Sequence, residues 1–556
     1  MNRVALLQAA LGGPVVAGLA WLGLVRWPWV RRPVSAVLAL ASHAAAWGVL
    51  VATYRGEEVV WRSYEPALLG ATILVVTELA LLLAALRAER VPDGGNAPAI
   101  VGLAVSASSV AAIAYAGSLA VVALAIPLPT IAVAAAGLSG RGRRDARGLI
   151  GLAAADVIAL IGISLVYART GSVIVGDAGG AGPALLLLAA LVKSGAIPGL
   201  ATWRQASTDG PSAWLDGGLR GQAIALAVLA TLTMRSSAPA AALAIGAAIA
   251  IIAGGLVAVV VRTRAGSVAA VTGAAAGVPF LALGLGGAVG TRAFLLLFPA
   301  FLLASALVGM LGRVPEEQET SSAGAWGWLA ACALGIGLGS LLGLPPGGGF
   351  PGTWLAVSLT ATRAEVTLGW LAAAGAVGAG LALAMKASLG LIRAAKATPL
   401  VAASGTVIAL LLLYLGTQPL RIAIGWWVRV ETALGLPEVL PTAGAPGLPA
   451  IGGMRLALAL VPALALVVIV VGLGRGVRDL GERFVPLRGA DEEPTARAGR
   501  ARALLAPVVT GIKPVTELLG RARDMGVGFG IAGVLELAAL LMAGRVVLLA
   551  ARAGFL

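Results

Sequence analysis

The sequence predicts an all-α polytopic membrane protein with about sixteen transmembrane helices, and three observations carry that reading. Of 556 residues, 59% are hydrophobic and only 12% are charged, against about 25% charged in an ordinary soluble domain. Mean hydropathy is +0.97. Apolar runs long enough for a hydrocarbon core, which needs about 20 residues per helix, follow one another almost from end to end. Soluble enzymes, secreted disulfide scaffolds and DNA-binding domains are excluded as readings of the whole chain.

The elements follow in order. The first apolar run begins near Val4, with one arginine before it and no small-residue cleavage site after it; it reads as a membrane helix, 4–25, rather than a signal peptide. Arg26, Arg31 and Arg32 separate it from 34–53, and Arg55 and Arg62 separate that from 67–88. Arg87 and Arg90 precede 97–115 and 118–138, and Arg141, Arg143, Arg144 and Arg147 introduce 148–168. Spans at 181–201, 218–235, 239–261, 267–289, 293–312 and 325–344 alternate with loops holding Arg204 and Arg220, Arg235, Arg262 and Arg264, Arg292, and Arg313. Further spans lie at 367–392, 401–417, 454–474 and 527–551. The spans are rich in alanine and glycine, with 77 glycines in the chain, which suits close helix–helix approach where lipid gives no hydrophobic drive.

The formal net charge of +15 is mainly an orientation signal. With the N-terminus outside, 26 of the 40 Lys and Arg residues fall in loops on one side and nine on the other, and this bias keeps its phase along the chain. The positive-inside rule then gives a multi-pass protein of the bacterial inner membrane with both termini outside.

Two connections are more than loops. Residues 420–436 are apolar, with Trp426 and Trp427 and spaced charges, as in a helix lying in the membrane interface. Residues 475–526 begin polar and acidic and continue as a basic stretch; its later part reads as an amphipathic cytoplasmic helix kinked by Pro507 and Pro514, or as a basic linker. The chain divides into 1–115, an N-terminal set of helices; 116–417, a core; 418–474, an interfacial and a transmembrane helix; 475–526, the cytoplasmic segment; and 527–556, a terminal span.

Ionisable groups within spans are costly and mark ion pathways by default. They are His43, Glu78, Asp156, Lys193, Lys386, Glu536 and Arg545. His43 is the only histidine and reads as a hydrogen-bonded packing residue or a proton relay. Glu536 and Arg545 can pair with neighbouring helices, and Arg545 can snorkel. Lys193 stands out: it lies deep in ALLLLAALVKSGAIPGLATW, and Gly195, Pro198 and Gly199 follow at once. A helix broken there suits a cavity lining, and such a lysine responds to charges arriving beside it. Cys332 is the only cysteine, so an internal disulfide is impossible and the chain holds neither a CxxC nor a His/Cys cluster. With about four ligands needed for an iron–sulfur cluster, no redox centre is encoded, and cofactors and metals are expected to be absent.

At Lys193 the sequence begins to resemble the antiporter-like membrane subunits shared by respiratory complex I, Mrp-type sodium/proton antiporters and energy-converting hydrogenases. That family shows a Lys-Ser on a broken helix, then a Pro, a Trp and a Gly-Pro; here stand Lys193-Ser194, Pro198, Trp203 and Asp209-Gly210-Pro211. Residues 145–172 resemble its helix ending in a tyrosine and Thr-Gly, with Asp156 at the acidic place, and 268–286 resembles its second broken-helix region. GLPPGGGF, 343–350, matches a Gly-x-Pro-Pro-x-x-Gly-Phe and brings Pro345, Pro346 and Gly349 to a helix break. The layout is similar to the largest such subunit of complex I. The resemblance implies an inverted-repeat core with broken helices, an ion path through Lys193, Asp156, Glu78 and Lys386, and no nucleic-acid partner. Its partners are the lipid bilayer, protons or sodium ions, and other membrane subunits, including antiporter-like paralogues.

The chain also departs from the pattern. Pro127 stands where the family has the glutamate of a Trp-Glu, Leu303 where a second lysine belongs, Leu219 near a histidine's place, and Gly352-Thr353 for a Ser-Lys. Glu78 or Asp156 is then expected to replace the missing glutamate beside Lys193. Three functions stay open: an ion-translocating subunit of a redox-driven or antiporter complex, a non-pumping structural subunit of such a complex, and the membrane part of a two-part inorganic-carbon uptake system. A stand-alone solute transporter is a fourth, with no substrate clamp to support it.

Overall fold

The computed structural model describes residues 3–24, 27–61, 64, 67–88, 97–138, 146–176, 180–196, 216–233, 240–260, 264–311, 325–362, 399–419 and 426–433. The expected spans at 367–392, 454–474 and 527–551 and the segment 475–526 lie outside these residues, as do Lys386, Glu536, Arg545, Pro198, Gly199, Trp203 and Asp209 to Pro211.

The fold is helical. The first four helices are α1 (Arg3–Gly23), α2 (Pro28–Tyr54), α3 (Leu68–Ala88) and α4 (Ala97–Ala114). Then come α5 (Leu119–Ala125), α6 (Leu128–Leu138), α7 (Ala146–Thr170) and α8 (Ala181–Ser194). Helix α9 (Asp216–Val228) runs into a π-helical turn at Leu229–Thr233 and is followed by α10 (Ala240–Val260), α11 (Arg264–Leu285) and α12 (Gly287–Leu311). The last four are α13 (Ala325–Leu341), α14 (Phe350–Thr362), α15 (Pro399–Thr417) and the short α16 (Val428–Ala433). Among the described residues, four stretches are long and apolar enough to cross a bilayer: Arg3–Gly23, Trp29–Tyr54, Leu149–Thr170 and Val289–Leu311. Large apolar side chains face outward, among them Val37 and Leu40 on α2, Ile249 on α10 and Leu410 on α15. Such faces suit lipid or a neighbouring membrane subunit.

Helix α12 runs through the middle. It packs against α3, α9, α11, α13, α14 and α15, and Phe294, Phe298 and Leu302 on it are fully buried. Small residues set the spacing around it and beyond. A methyl added to Gly182 of α8 would meet Val166 and the Gly162 carbonyl of α7 at 2.6–2.8 Å. One added to Gly221 of α9 would run into Thr77 of α3. Close approach of this kind adds dispersion contacts that lipid cannot match.

Four expectations are corrected. The span expected at 118–138 is two helices, α5 and α6, separated at Ile126 and Pro127. Proline supplies no N–H and clashes with the preceding turn. The region 268–286, which resembled a second broken helix, is instead an unbroken α11 with Pro279 inside it; a packed membrane bundle tolerates an interior proline. Arg220, assigned to a loop, lies inside α9, buried, with its guanidinium 5.4 Å from the ring centre of Phe301. Helix α14 occupies a stretch where no span was expected. Proline and glycine are dense at its start, from Pro345 to Gly352, and the helix forms only from Phe350 onward.

GLPPGGGF forms the turn-rich connection between α13 and α14. Gly343 takes a φ of +65°, which favours glycine. Gly349 sits so close to Ser340 that a methyl there would strike the Ser340 carbonyl, and its N–H donates to Ser340 Oγ at 3.0 Å. From the other side, a methyl on Gly416 of α15 would strike the Pro346 carbonyl. Pro345, Pro346 and Gly349 thus lie together at a break between two helices, packed against the end of α15.

The described part of the segment expected as an interfacial helix is seated on the bundle. Trp427, Val430 and Glu431 are buried. Trp426 stacks on Tyr54 at 4.9 Å and donates to Thr72 Oγ1 at 3.2 Å. Arg292 of α12 holds Glu431 through two bonds of 2.6 and 2.7 Å.

A buried lysine centre

Lys193 is the penultimate residue of α8 and has no solvent exposure. The helix ends directly after it: Gly195 is left-handed, with φ +80°, and its N–H returns to the Val192 carbonyl. Glycine adopts that conformation without steric cost.

Helix α7 places Asp156 against the lysine. The Gly162–Gly182 approach brings α7 and α8 together, and in this antiparallel pairing Asp156 meets Lys193 in an ion pair, Nζ to Oδ1, with both side chains fully buried. Of the two acids expected as surrogates for the missing glutamate, Asp156 therefore faces Lys193. Glu78 is instead bonded to His43, Oε2 to Nδ1, at 3.1 Å.

Two further acceptors complete the site. Lys193 Nζ donates to the Ile126 carbonyl at 2.7 Å and to Gln222 Oε1 at 2.5 Å. An ammonium has three N–H donors and no acceptor, and Asp156, Ile126 and Gln222 are among the groups that surround this one. The sequence explains why a main-chain oxygen is available. Pro127 and Pro129 stand in the run IPLPT; Pro129 has no N–H to offer the Ala125 carbonyl four residues earlier, which Ser109 and Gln222 take instead. Ile126, at the α5–α6 break, gives its carbonyl to the lysine.

Gln222 was not singled out in the sequence. Its Nε2 donates to Ser109 Oγ at 2.9 Å and reaches the Ala125 and Ile126 carbonyls at 3.1 Å each. Ser109 Oγ in turn donates to the Ala125 carbonyl at 2.7 Å. The chain of groups Asp156, Lys193, Gln222, Ser109 spans α7, α8, α9 and α4. Only a glutamine three residues beyond Leu219, near the family's histidine place, hinted at it. Pro127 and Leu303 are both buried, and Pro127 directly follows Ile126, whose carbonyl meets Lys193.

Chemically, this is a fully buried ion pair whose proton has a short path from nitrogen to carboxylate. Burying two charges costs much of their Coulomb attraction, and the extra acceptors offset that cost. Among the described residues, no group of three or more His, Cys, Asp or Glu could hold a metal ion.

No protein-family description and no curated protein matches the chain in sequence. Solved structures do match in fold. A chain of the Mrp complex from Dietzia sp. has a TM-score of 0.61 at 16% identity, covering 78% of this chain and 100% of that one. For a chain of the membrane-bound sulfane sulfur reductase, an archaeal respiratory membrane complex, the values are 0.66 and 17%, over 99% of this chain and 100% of that one. For a chain of respiratory complex I from Thermus thermophilus they are 0.57 and 21%, over 74% and 98%. The fold is that of the multi-pass membrane subunits in such complexes, in line with the resemblance to antiporter-like subunits seen in the sequence.

Proposed function

We propose that this chain is a membrane subunit of a multi-subunit respiratory or antiporter complex and that it translocates protons, or a coupled sodium ion, through the Lys193–Asp156 pair. The observation that supports this is a fully buried ammonium ion-paired with a fully buried carboxylate and bonded to Gln222 and the Ile126 carbonyl, at the point where its helix ends. The pair passes a proton internally when a neighbouring charge changes: the carboxylate takes the proton, the amine goes neutral, and Gln222 and the Ile126 carbonyl hold the nitrogen in place. Other membrane subunits, including antiporter-like paralogues, supply that neighbouring charge and any electron transfer. The setting is a bacterial inner membrane with both termini outside.

The test is proton uptake by vesicles that contain the intact complex. Lys193→Ala is expected to abolish this subunit's share of uptake, and unchanged uptake overturns the reading. Lys193→Arg sharpens it, because a guanidinium keeps the charge but does not release its proton; assembly is expected to persist while uptake falls.

Leu303 and Pro127 favour a second reading, a structural subunit that docks without pumping. Under that reading Lys193→Arg leaves both assembly and uptake unchanged.

A further inference from the structure

A second set of titratable groups lies apart from the lysine centre, in the N-terminal helices. His43 is on α2, eleven residues, about 16 Å, from its C-terminal end, and Glu78 is at the middle of α3. The imidazole is engaged on both nitrogens: Nδ1 faces Glu78 Oε2 at 3.1 Å and Nε2 accepts from Trp47 Nε1 at 3.0 Å. An indole nitrogen is only a donor, so the bond from Trp47 fixes the neutral ring as the Nδ1–H tautomer, with that hydrogen donated to the carboxylate.

Two polar atoms beside this arrangement are unspent. Glu78 Oε1 and the Tyr115 hydroxyl are both buried without a hydrogen-bond partner. Buried polar groups are ordinarily satisfied, so the second oxygen of the Glu78 carboxylate has capacity to spare. The surroundings supply little competing charge. Helix α1 offers Arg3, paired with Glu57 at 3.0 Å, and α4 carries no ionisable residue. Helix α9 carries Asp216 and Arg220, and Arg292 of α12 is held by Glu431.

We propose that His43 and Glu78 form a second proton-binding site, independent of Lys193, whose occupancy is transmitted to the outer face of the bundle by Trp47. Adding a proton at Nε2 makes an imidazolium that stays paired with Glu78. It also sets that new N–H against the N–H of Trp47, two donors face to face, so the Trp47 bond breaks. The Trp47 side is half-open, 47% exposed, so its ring has room to turn. The site thus takes up a proton at mid-helix and converts it into a movement of one aromatic ring on a surface that meets lipid or a neighbouring subunit.

The chain has one histidine, so nitrogen-15 histidine labelling of the untagged full-length chain in lipid nanodiscs reports this site alone. The wild type is expected to show the Nδ1–H tautomer at neutral pH and a proton added at Nε2 on acidification. An indole N–H signal that Trp47→Phe removes should shift in step. Glu78→Gln is expected to lower the ratio of imidazolium to neutral ring at a fixed acidic pH by about tenfold. Lys193→Ala should leave all of this intact, which separates this proposal from the translocation reading. A neutral Nε2–H tautomer in the wild type, a ring that ignores acid, or an indole signal that stays still while the ring titrates overturns it. The wild-type spectra decide these outcomes even if a variant fails to fold.

Discussion

Lys193 Nζ lies 2.7 Å from the Ile126 carbonyl oxygen, one residue before the proline that occupies the place of the family's glutamate. The helix break at this point supplies a peptide oxygen, and Asp156 from α7 and Gln222 from α9 supply side-chain oxygens to the same ammonium.

The pair behaves as a unit, so single and double substitutions should differ in a telling way. Lys193→Met or Asp156→Leu alone strands a buried charge and is expected to lower stability by about 3–5 kcal/mol. The double variant replaces both with apolar groups and is expected to recover most of that loss. Thermal denaturation of the purified chain in detergent checks this, and a double variant as unstable as the sum of the singles would contradict the pairing.

Gln222→Leu removes the acceptor for Lys193 and the donor to Ser109 and the α5 carbonyls at once. We expect a loss of about 1–3 kcal/mol, with proton uptake by the complex reduced more than assembly. Gln222→Glu restores an acceptor and adds a charge beside the lysine, so it should return stability while altering the pH profile of uptake.

Gly349→Ala forces a methyl into the Ser340 carbonyl and should cost about 1–3 kcal/mol. Gly309→Ala on α12 is the contrasting change, since no heavy atom lies within 4 Å of the added methyl. It should be neutral or stabilising by about 0.5–1 kcal/mol. Comparing the two melting temperatures checks both.

Arg292 and Glu431 join α12 to α16 by two short bonds. A double-mutant cycle with Arg292→Gln and Glu431→Gln should give a coupling of about 2–3 kcal/mol, read from denaturation midpoints. A coupling near zero would mean that α16 is held by its other contacts, Arg429 on Tyr54 and the buried Val430.

How much of this was legible in the sequence depends on chemistry that stands out against an apolar background. Lys193 and Asp156 were visible because a charge at membrane depth is rare, and Gly195 because it follows the lysine so closely. Gln222 and Ser109 were not, since uncharged polar residues are common in such helices and their role is one of orientation. The α5–α6 break was written in Pro127 and Pro129 but hidden by the high hydropathy of the run around them. Arg220 read as a loop marker because arginine at a helix boundary ordinarily snorkels, whereas here it is enclosed against Phe301. Pairing is a matter of three-dimensional neighbours. Glu78 and Asp156 looked alike as partners of Lys193, and only the packing of α2 on α3 gave Glu78 to His43 instead.

The glycine contacts between helices bear on how such a bundle can transmit anything. Where Gly218 of α9 sits on Ser106, Gly221 on Thr77 and Gly182 on Val166, the backbones are already at their closest approach, and moving them apart forfeits contacts that lipid does not replace. A lateral or rocking stroke around the lysine is therefore stiff. The compliant coordinates are the small ones, a proton changing owner or a side chain turning, so whatever passes between these helices passes as a local exchange rather than a sliding of whole elements.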